Sequence, residues 1–175
     1  GQGSPSVGML APLADDFPQV AAAFAEASGV LGYDLWRLVQ EGPETDLNRT
    51  DRTQPALLAA GVAVWRVWQA AQGPAPAFMA GHSLGEYSAL VCAGALDLAD
   101  AVALVAERGR LMQEAVPAGQ GAMAAILGLD DAKVIALCAE SAEGDVVEAV
   151  NFNAPGQVVI AGDAPAVERA MGAAK

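Results

Sequence analysis

The sequence predicts an α/β chain in two parts, and three observations predict it. A wholly apolar run at residues 77–80 lies between helical patterns, and such runs suit a parallel strand buried on both faces. From Gly121 the patterning changes to short strands alternating with helices, in the order β-α-β-β-α. Hydrophobic residues make up 54% of the 175, enough for a real core, which excludes disorder. Aromatics reach only 5%, so Ala, Val and Leu must fill that core. A break falls near residues 117–121, which divides the chain into 1–118 and 119–175.

Each element has a local reason. Asp16, Phe17 and Pro18 open a helix to about residue 28, because Asp can cap and proline suits a first turn. Residues 33–40 form a short helix stopped by Gly42 and Pro43, and the polar stretch 45–51 is a loop. Thr53, Gln54 and Pro55 start a long helix to about residue 71, with Leu58, Val62, Trp65 and Gln69 on one stripe. Gly73 and Pro74 end it. The strand at 77–80 leads into Gly81-His82-Ser83-Leu84-Gly85 and a helix to about residue 94. Residues 97–116 form another helix, ended by Pro117 and Gly119. In the second part, strands at 122–129, 146–153 and 157–161 alternate with helices at 130–143 and 163–175, and Ala154-Pro155-Gly156 makes the turn. That order is a ferredoxin-like unit without its last strand. One buried strand cannot make a parallel sheet alone, so both parts read as incomplete.

The charge narrows the function. Asp and Glu number 21 against 9 Lys and Arg, a net charge of −12, so neither nucleic acid nor an anionic membrane is an expected partner. No apolar run reaches the roughly 18 residues of a membrane span, and residues 1–5 lack a signal-peptide pattern. Cys92 and Cys138 sit among apolar residues and read as buried thiols of a reducing compartment. With His82 the sole histidine, a His-based metal site is excluded within this chain.

The chemistry centres on Ser83. Gly81-x-Ser83-x-Gly85 between a strand and a helix is a nucleophile elbow: a tight, strained turn projects the hydroxyl, and glycines leave room for close backbone. The helix that begins there aims free N–H groups and its positive end at the reacting centre, and the Leu84 N–H can donate to an oxyanion. A plain strand–helix turn that happens to hold glycines is the alternative. His82 is a poor base for its own neighbour and is assigned packing or hydrogen bonding. A nucleophile is thus present without its base.

Arg108 is the second informative residue. Leu98, Ala101, Val102, Val105, Arg108, Met112 and Val116 follow three- and four-residue steps, which puts a guanidinium on an apolar stripe. Such a charge is costly unless an anion meets it. It is either a structural ion pair, a snorkelling side chain, or a fork for a substrate carboxylate. Gly1-Gln2-Gly3-Ser4 is a small glycine-rich loop of weak meaning alone, and Gln54 by position is a cap or surface residue.

Five motifs occur in order: Gly-Gln-Gly-Ser at 1–4, Thr-Gln-Pro at 53–55, Gly-His-Ser-Leu-Gly-Glu-Tyr at 81–87, Arg-Gly-Arg-Leu-Met-Gln at 108–113 and Asn-Phe-Asn-Ala-Pro-Gly-Gln at 151–157. Together they resemble the bacterial malonyl-CoA:acyl carrier protein transacylases of fatty acid synthesis and the related acyltransferase domains of polyketide synthases, across the whole chain. The resemblance implies an α/β-hydrolase-like large subdomain with an inserted ferredoxin-like small subdomain. It implies a ping-pong reaction in the cytoplasm: malonyl passes from malonyl-CoA to a serine, then to the phosphopantetheine thiol of acyl carrier protein. No cofactor is implied, since malonyl-CoA is a substrate. Ser83 resembles the acylated nucleophile. Gln2 and Leu84 match the oxyanion-hole residues, Arg108 the arginine that grips the malonate carboxylate, and Gln54 a pocket residue. Pro5 stands where the family often has Gln, which should affect loop stiffness only; the family's histidine lies beyond residue 175, so the chain is expected to be a fragment inactive alone. A serine esterase or thioesterase is the alternative. Carrier proteins of the family are acidic, so docking onto this acidic chain calls for a local basic patch.

Overall fold

A computed structural model of the chain describes residues 5–116 and 119–175. The fold is mixed α/β and divides into two compact units, Gly1–Glu114 and Ala115–Lys175. No helix among the described residues is long and apolar enough to cross a membrane.

The first unit is helical: α1 (Ala11–Asp16), α2 (Pro18–Leu31), α3 (Leu35–Glu41), α4 (Glu44–Leu47), α5 (Thr50–Ala70), α6 (Leu84–Cys92) and α7 (Leu98–Ala115), the last reaching the division. Its spine is α5, which buries Ala56, Leu58, Ala59, Val62, Ala63 and Val67. Against it packs α2, through Val20, Ala23, Phe24 and Ala27. Alanines on both faces let the two helices approach closely, which is how an aromatic-poor sequence still closes a core. Phe24 supplies the bulk, with the Trp36 ring tilted against it at 4.9 Å.

Local signals decide most boundaries. Asp34 caps α3, its Oδ1 accepting the Arg37 N–H at 2.9 Å. Asp16 is not the cap expected for α2. It ends α1, a helix the sequence reading did not anticipate, and Phe17 stands at the N-cap with no side-chain bond. The loop expected at 45–51 is helical at both ends. Pro43 precedes α4, whose first turn carries Glu44 and Asp46, and α5 begins at Thr50, leaving Pro55 inside it. Thr53 starts nothing: its Oγ1 donates to the Leu47 carbonyl at 2.6 Å and ties α4 to α5. On α5 the expected stripe fades after Val67, with Trp65 half-buried and Gln69 exposed.

The expected strand at 77–80 does not form, and Phe78 is 92% exposed. A strand needs a neighbour to take its N–H and C=O groups, and the described residues of this unit hold no other strand. The run has the apolar composition of a buried strand, but pairing is a tertiary property.

The second unit contains β1 (Gly121–Leu127), α8 (Asp131–Ser141), β2 (Val147–Ala154), β3 (Gln157–Asp163) and α9 (Ala164–Ala173). The sheet order is β1-β3-β2, antiparallel throughout, with Ala124 opposite Ile160 and Ala149 opposite the same residue. Alternation decides the faces. Ile126, Val147, Val158 and Ile160 are buried with Val134, Leu137 and Cys138 of α8 and Ala166, Val167 and Ala170 of α9, whereas Met123 and Leu127 stay exposed. Arg169 of α9 donates to the Ser141 and Ala142 carbonyls, satisfying the end of α8. Both cysteines are free, Cys138 buried and Cys92 half-buried, and burial pushes each thiol up.

Candidate active site

The site lies in the first unit, where α5, α6 and α7 bring side chains from distant parts of the sequence together. Ser83 is the N-cap of α6 and holds φ 56° and ψ −115°. That is strained backbone for a residue with a Cβ, a cost on the order of 1–3 kcal/mol that surrounding structure must hold in place. The turn is closed by two bonds, Gly85 N–H to His82 O at 3.0 Å and Glu86 N–H to Ser83 O at 3.1 Å. The Leu84 N–H takes no backbone partner among the described residues, while the Leu84 side chain is buried and anchors the start of the helix. The first helical N–H is therefore available beside the hydroxyl, as an oxyanion donor must be.

The two motif glycines differ. A Cβ on Gly81 would fall 2.0 Å from the Gly85 carbonyl carbon and oxygen, so that position is held open by backbone contact. A Cβ on Gly85 would meet nothing within 4 Å.

Arg108 comes to the same point. Its Nη2 donates to Ser83 Oγ at 2.9 Å and its Nη1 to Gln54 Oε1 at 2.6 Å. The guanidinium carbon lies 5.9 Å from the Tyr87 ring centroid, within cation–π range. Among the described residues no carboxylate forms an ion pair with it. The ion-pair alternative is therefore set aside among the described residues, where this half-buried cation meets neutral groups: a serine, an amide and the Tyr87 ring. Neighbouring Arg110 shows the contrast. It is held by Glu107 and by Glu114 at 2.7 Å, which raise its pKa, and it faces solvent.

Gln54 is neither cap nor surface residue; it is fully buried. Its environment is set by α7, whose Gly109 approaches the start of α5 so closely that a Cβ would lie 2.6 Å from the Thr50 carbonyl oxygen. Beyond Gly109 the stripe of α7 does not continue into the core. Met112 and Val116, expected on it, are 46% and 51% exposed. His82, assigned packing or hydrogen bonding from sequence, is exposed and joins no side-chain hydrogen bond among the described residues. Gln2 lies outside the described residues. Gly109, Met112 and Tyr87 also border this cluster, and the sequence alone did not single them out for it. A glycine inside a helical pattern, next to the arginine on the apolar stripe, was the available signal.

Among the described residues, a strained serine at a helix start thus stands beside an arginine without an ion pair, in a chain that matches the acyl transferase domain family. The family's model matches residues 1–173, and the chain belongs to that family. Over 175 residues it is 66% identical to the malonyl CoA-acyl carrier protein transacylase of Escherichia coli strain K12, covering all of this chain and 57% of that protein. A solved acyl carrier protein S-malonyltransferase of Vibrio cholerae O1 is 64% identical with a TM-score of 0.94, over 99% of this chain and 57% of the other. A malonyl-transacylase solved in complex with its type II polyketide synthase acyl-carrier protein is 64% identical with a TM-score of 0.96, over 99% and 56%. The chain thus spans a little over half the length of the relatives it matches.

Proposed function

We propose that this chain carries the nucleophile and the carboxylate-binding half of a malonyl-CoA:acyl carrier protein transacylase. The observation that carries the reading is the Arg108–Ser83 contact at 2.9 Å, with no acid to neutralise the guanidinium among the described residues. Arginine has donors only, so Ser83 Oγ accepts from it and keeps its own proton free for a base. Oγ attacks the thioester carbonyl of malonyl-CoA, its proton passes to the base and on to the leaving CoA sulfur, and a malonyl ester remains on Ser83. The Leu84 N–H, with that of Gln2, stabilises the oxyanion. The free carboxylate of a three-carbon diacid on Oγ stays within reach of the guanidinium, which Gln54 holds from the other side. Attack by the phosphopantetheine thiol of acyl carrier protein then transfers malonyl and returns the proton to Ser83. The resemblance implies a histidine as the base that takes this proton. The reaction uses no cofactor and is assigned to the cytoplasm.

We assign residues 1–118 to an α/β-hydrolase-like large subdomain and 119–175 to a ferredoxin-like small subdomain lacking its last strand. The antiparallel order β1-β3-β2, with α8 and α9 packed against it, supports the second assignment. The strained serine before α6 supports the first.

The test is the intact mass of the full-length protein after incubation with malonyl-CoA, with peptide mapping. A malonyl adduct on Ser83 that chases onto a carrier-protein thiol is expected, and Ser83→Ala abolishes it. No adduct, or release of free malonate without transfer, overturns the reading in favour of a scaffold or a hydrolase.

A further inference from the structure

We propose that Met112 is a positioning residue for the carboxylate-binding arginine, acting through Gln54; this rests on the transacylase reading above. Gln54 is fully buried, so both ends of its amide must find partners within the protein. Arg108 offers donors only, so the Gln54 oxygen has to face it, as it does at 2.6 Å. The amide nitrogen is left facing the other way with hydrogens to place. Its partner among the described residues is the Met112 sulfur, 3.4 Å away. A thioether accepts hydrogen bonds weakly and cannot donate, which makes it a selector. It stabilises the orientation that shows oxygen to Arg108. The flipped orientation would set amide hydrogens against guanidinium hydrogens and the amide oxygen against sulfur.

The position of Met112 fits this role better than a core role. It sits one helical turn beyond Arg108 on α7, on the same side, yet it is 46% exposed. Its apolar body is not what the core requires there; its sulfur is what Gln54 requires. The relay therefore runs from Met112 through Gln54 to Arg108, and it fixes where the guanidinium waits for a carboxylate. A neutral acyl group makes no use of that alignment, so the relay acts on selectivity.

The experiment compares the full-length protein with Met112→Leu, which removes the acceptor at similar volume, and Met112→Gln, which restores one as an amide oxygen. The readout is the ratio of kcat/KM for malonyl transfer to that for acetyl transfer from the CoA thioesters. Met112→Leu is expected to lower the ratio roughly tenfold, the rate equivalent of about 1.4 kcal/mol for one unmet buried donor, and Met112→Gln to restore it. A ratio unchanged in Met112→Leu, or lowered equally in both variants, overturns the proposal. Hydrogen exchange of the Gln54 side-chain amide, followed by NMR, reads the contact without any substrate: protection is expected in the wild type and Met112→Gln and lost in Met112→Leu. Equal exchange in all three overturns the relay. A wild type with no preference for malonyl overturns the transacylase reading instead, while the amide exchange still decides whether Met112 orients Gln54.

Discussion

Gly81 and Gly85 look equivalent in the motif, and the structure separates them. In Gly81→Ala the new methyl would meet the Gly85 carbonyl carbon and oxygen at 2.0 Å and the Glu86 nitrogen at 2.6 Å, all backbone atoms. Ordinary contact begins near 3.4 Å, so the start of α6 has to move by more than an ångström. That movement stretches the two bonds that close the elbow, worth about 1 kcal/mol each, on top of an overpacking cost of about 1–3 kcal/mol. The sum is about 3–5 kcal/mol, and it also displaces the Leu84 N–H from the hydroxyl. Gly85→Ala meets nothing and replaces glycine in the first turn of a helix, a gain of about 0.5–1 kcal/mol. Urea denaturation of the full-length variants measures the stability difference, and the rate of acylation of Ser83 measures the displacement. Equal midpoints for the two variants, or a Gly85→Ala more harmful than Gly81→Ala, would refute the steric account of the elbow.

Three further outcomes are expected. Arg108→Ala should cost malonyl transfer about 2–3 kcal/mol in transition-state binding, from lost charged hydrogen bonds, while acetyl transfer is spared; parallel loss of both would exclude a carboxylate fork. Gly109→Ala places a methyl 2.6 Å from the Thr50 carbonyl oxygen, so it should destabilise the α5–α7 contact by about 1–3 kcal/mol and lower malonyl selectivity, read by denaturation and by substrate competition. Asp130 caps α8 and pairs with Lys133 at 2.9 Å, and the Lys133 side chain holds its carboxyl below the usual range. A depressed folded-state pKa contributes stability above the unfolded value that is lost as pH falls through the folded one. Protection of the first α8 amides from exchange should therefore weaken as the pH falls below the ordinary aspartate value of about 4, and Asp130→Asn should flatten that dependence; an unchanged acid limb would argue against the pair.

Much of the fold was legible because its causes are local. The cap at Asp130, the turn at Gly156 with its positive φ of 75°, and the alternation in β1 and β3 are written within a few residues of where they act. The errors have tertiary or short-range causes. The run at 77–80 has strand composition and no partner strand, and a one-turn helix such as α4 leaves no periodicity to detect. Its signal was Pro43 followed by acids at Glu44 and Asp46. α1 was missed for the same reason, being six residues long with no buried residue among them.

The site was legible in a different way, through a violation. Arg108 stood out because a charge interrupted an apolar stripe, and the structure shows why the interruption is tolerated: the guanidinium rests on an amide and a hydroxyl. Gln54 carried no such signal by position, since a polar residue near a helix start is ordinary; the resemblance of Thr-Gln-Pro pointed to it, and its complete burial gives the physical reason to look there. Gly109 makes the arrangement possible, because any side chain there would hold α7 off α5 and break the Gln54–Arg108 contact. Two glycines in backbone contact, Gly81 behind the serine and Gly109 behind the arginine, therefore set the distance between Ser83 and Arg108. Both contacts lie among α5, α6 and α7 of one unit. The Ser83–Arg108–Gln54 cluster is consequently set by how α5, α6 and α7 pack, and on the transacylase proposal that packing is what a carboxylate-bearing acyl group would meet.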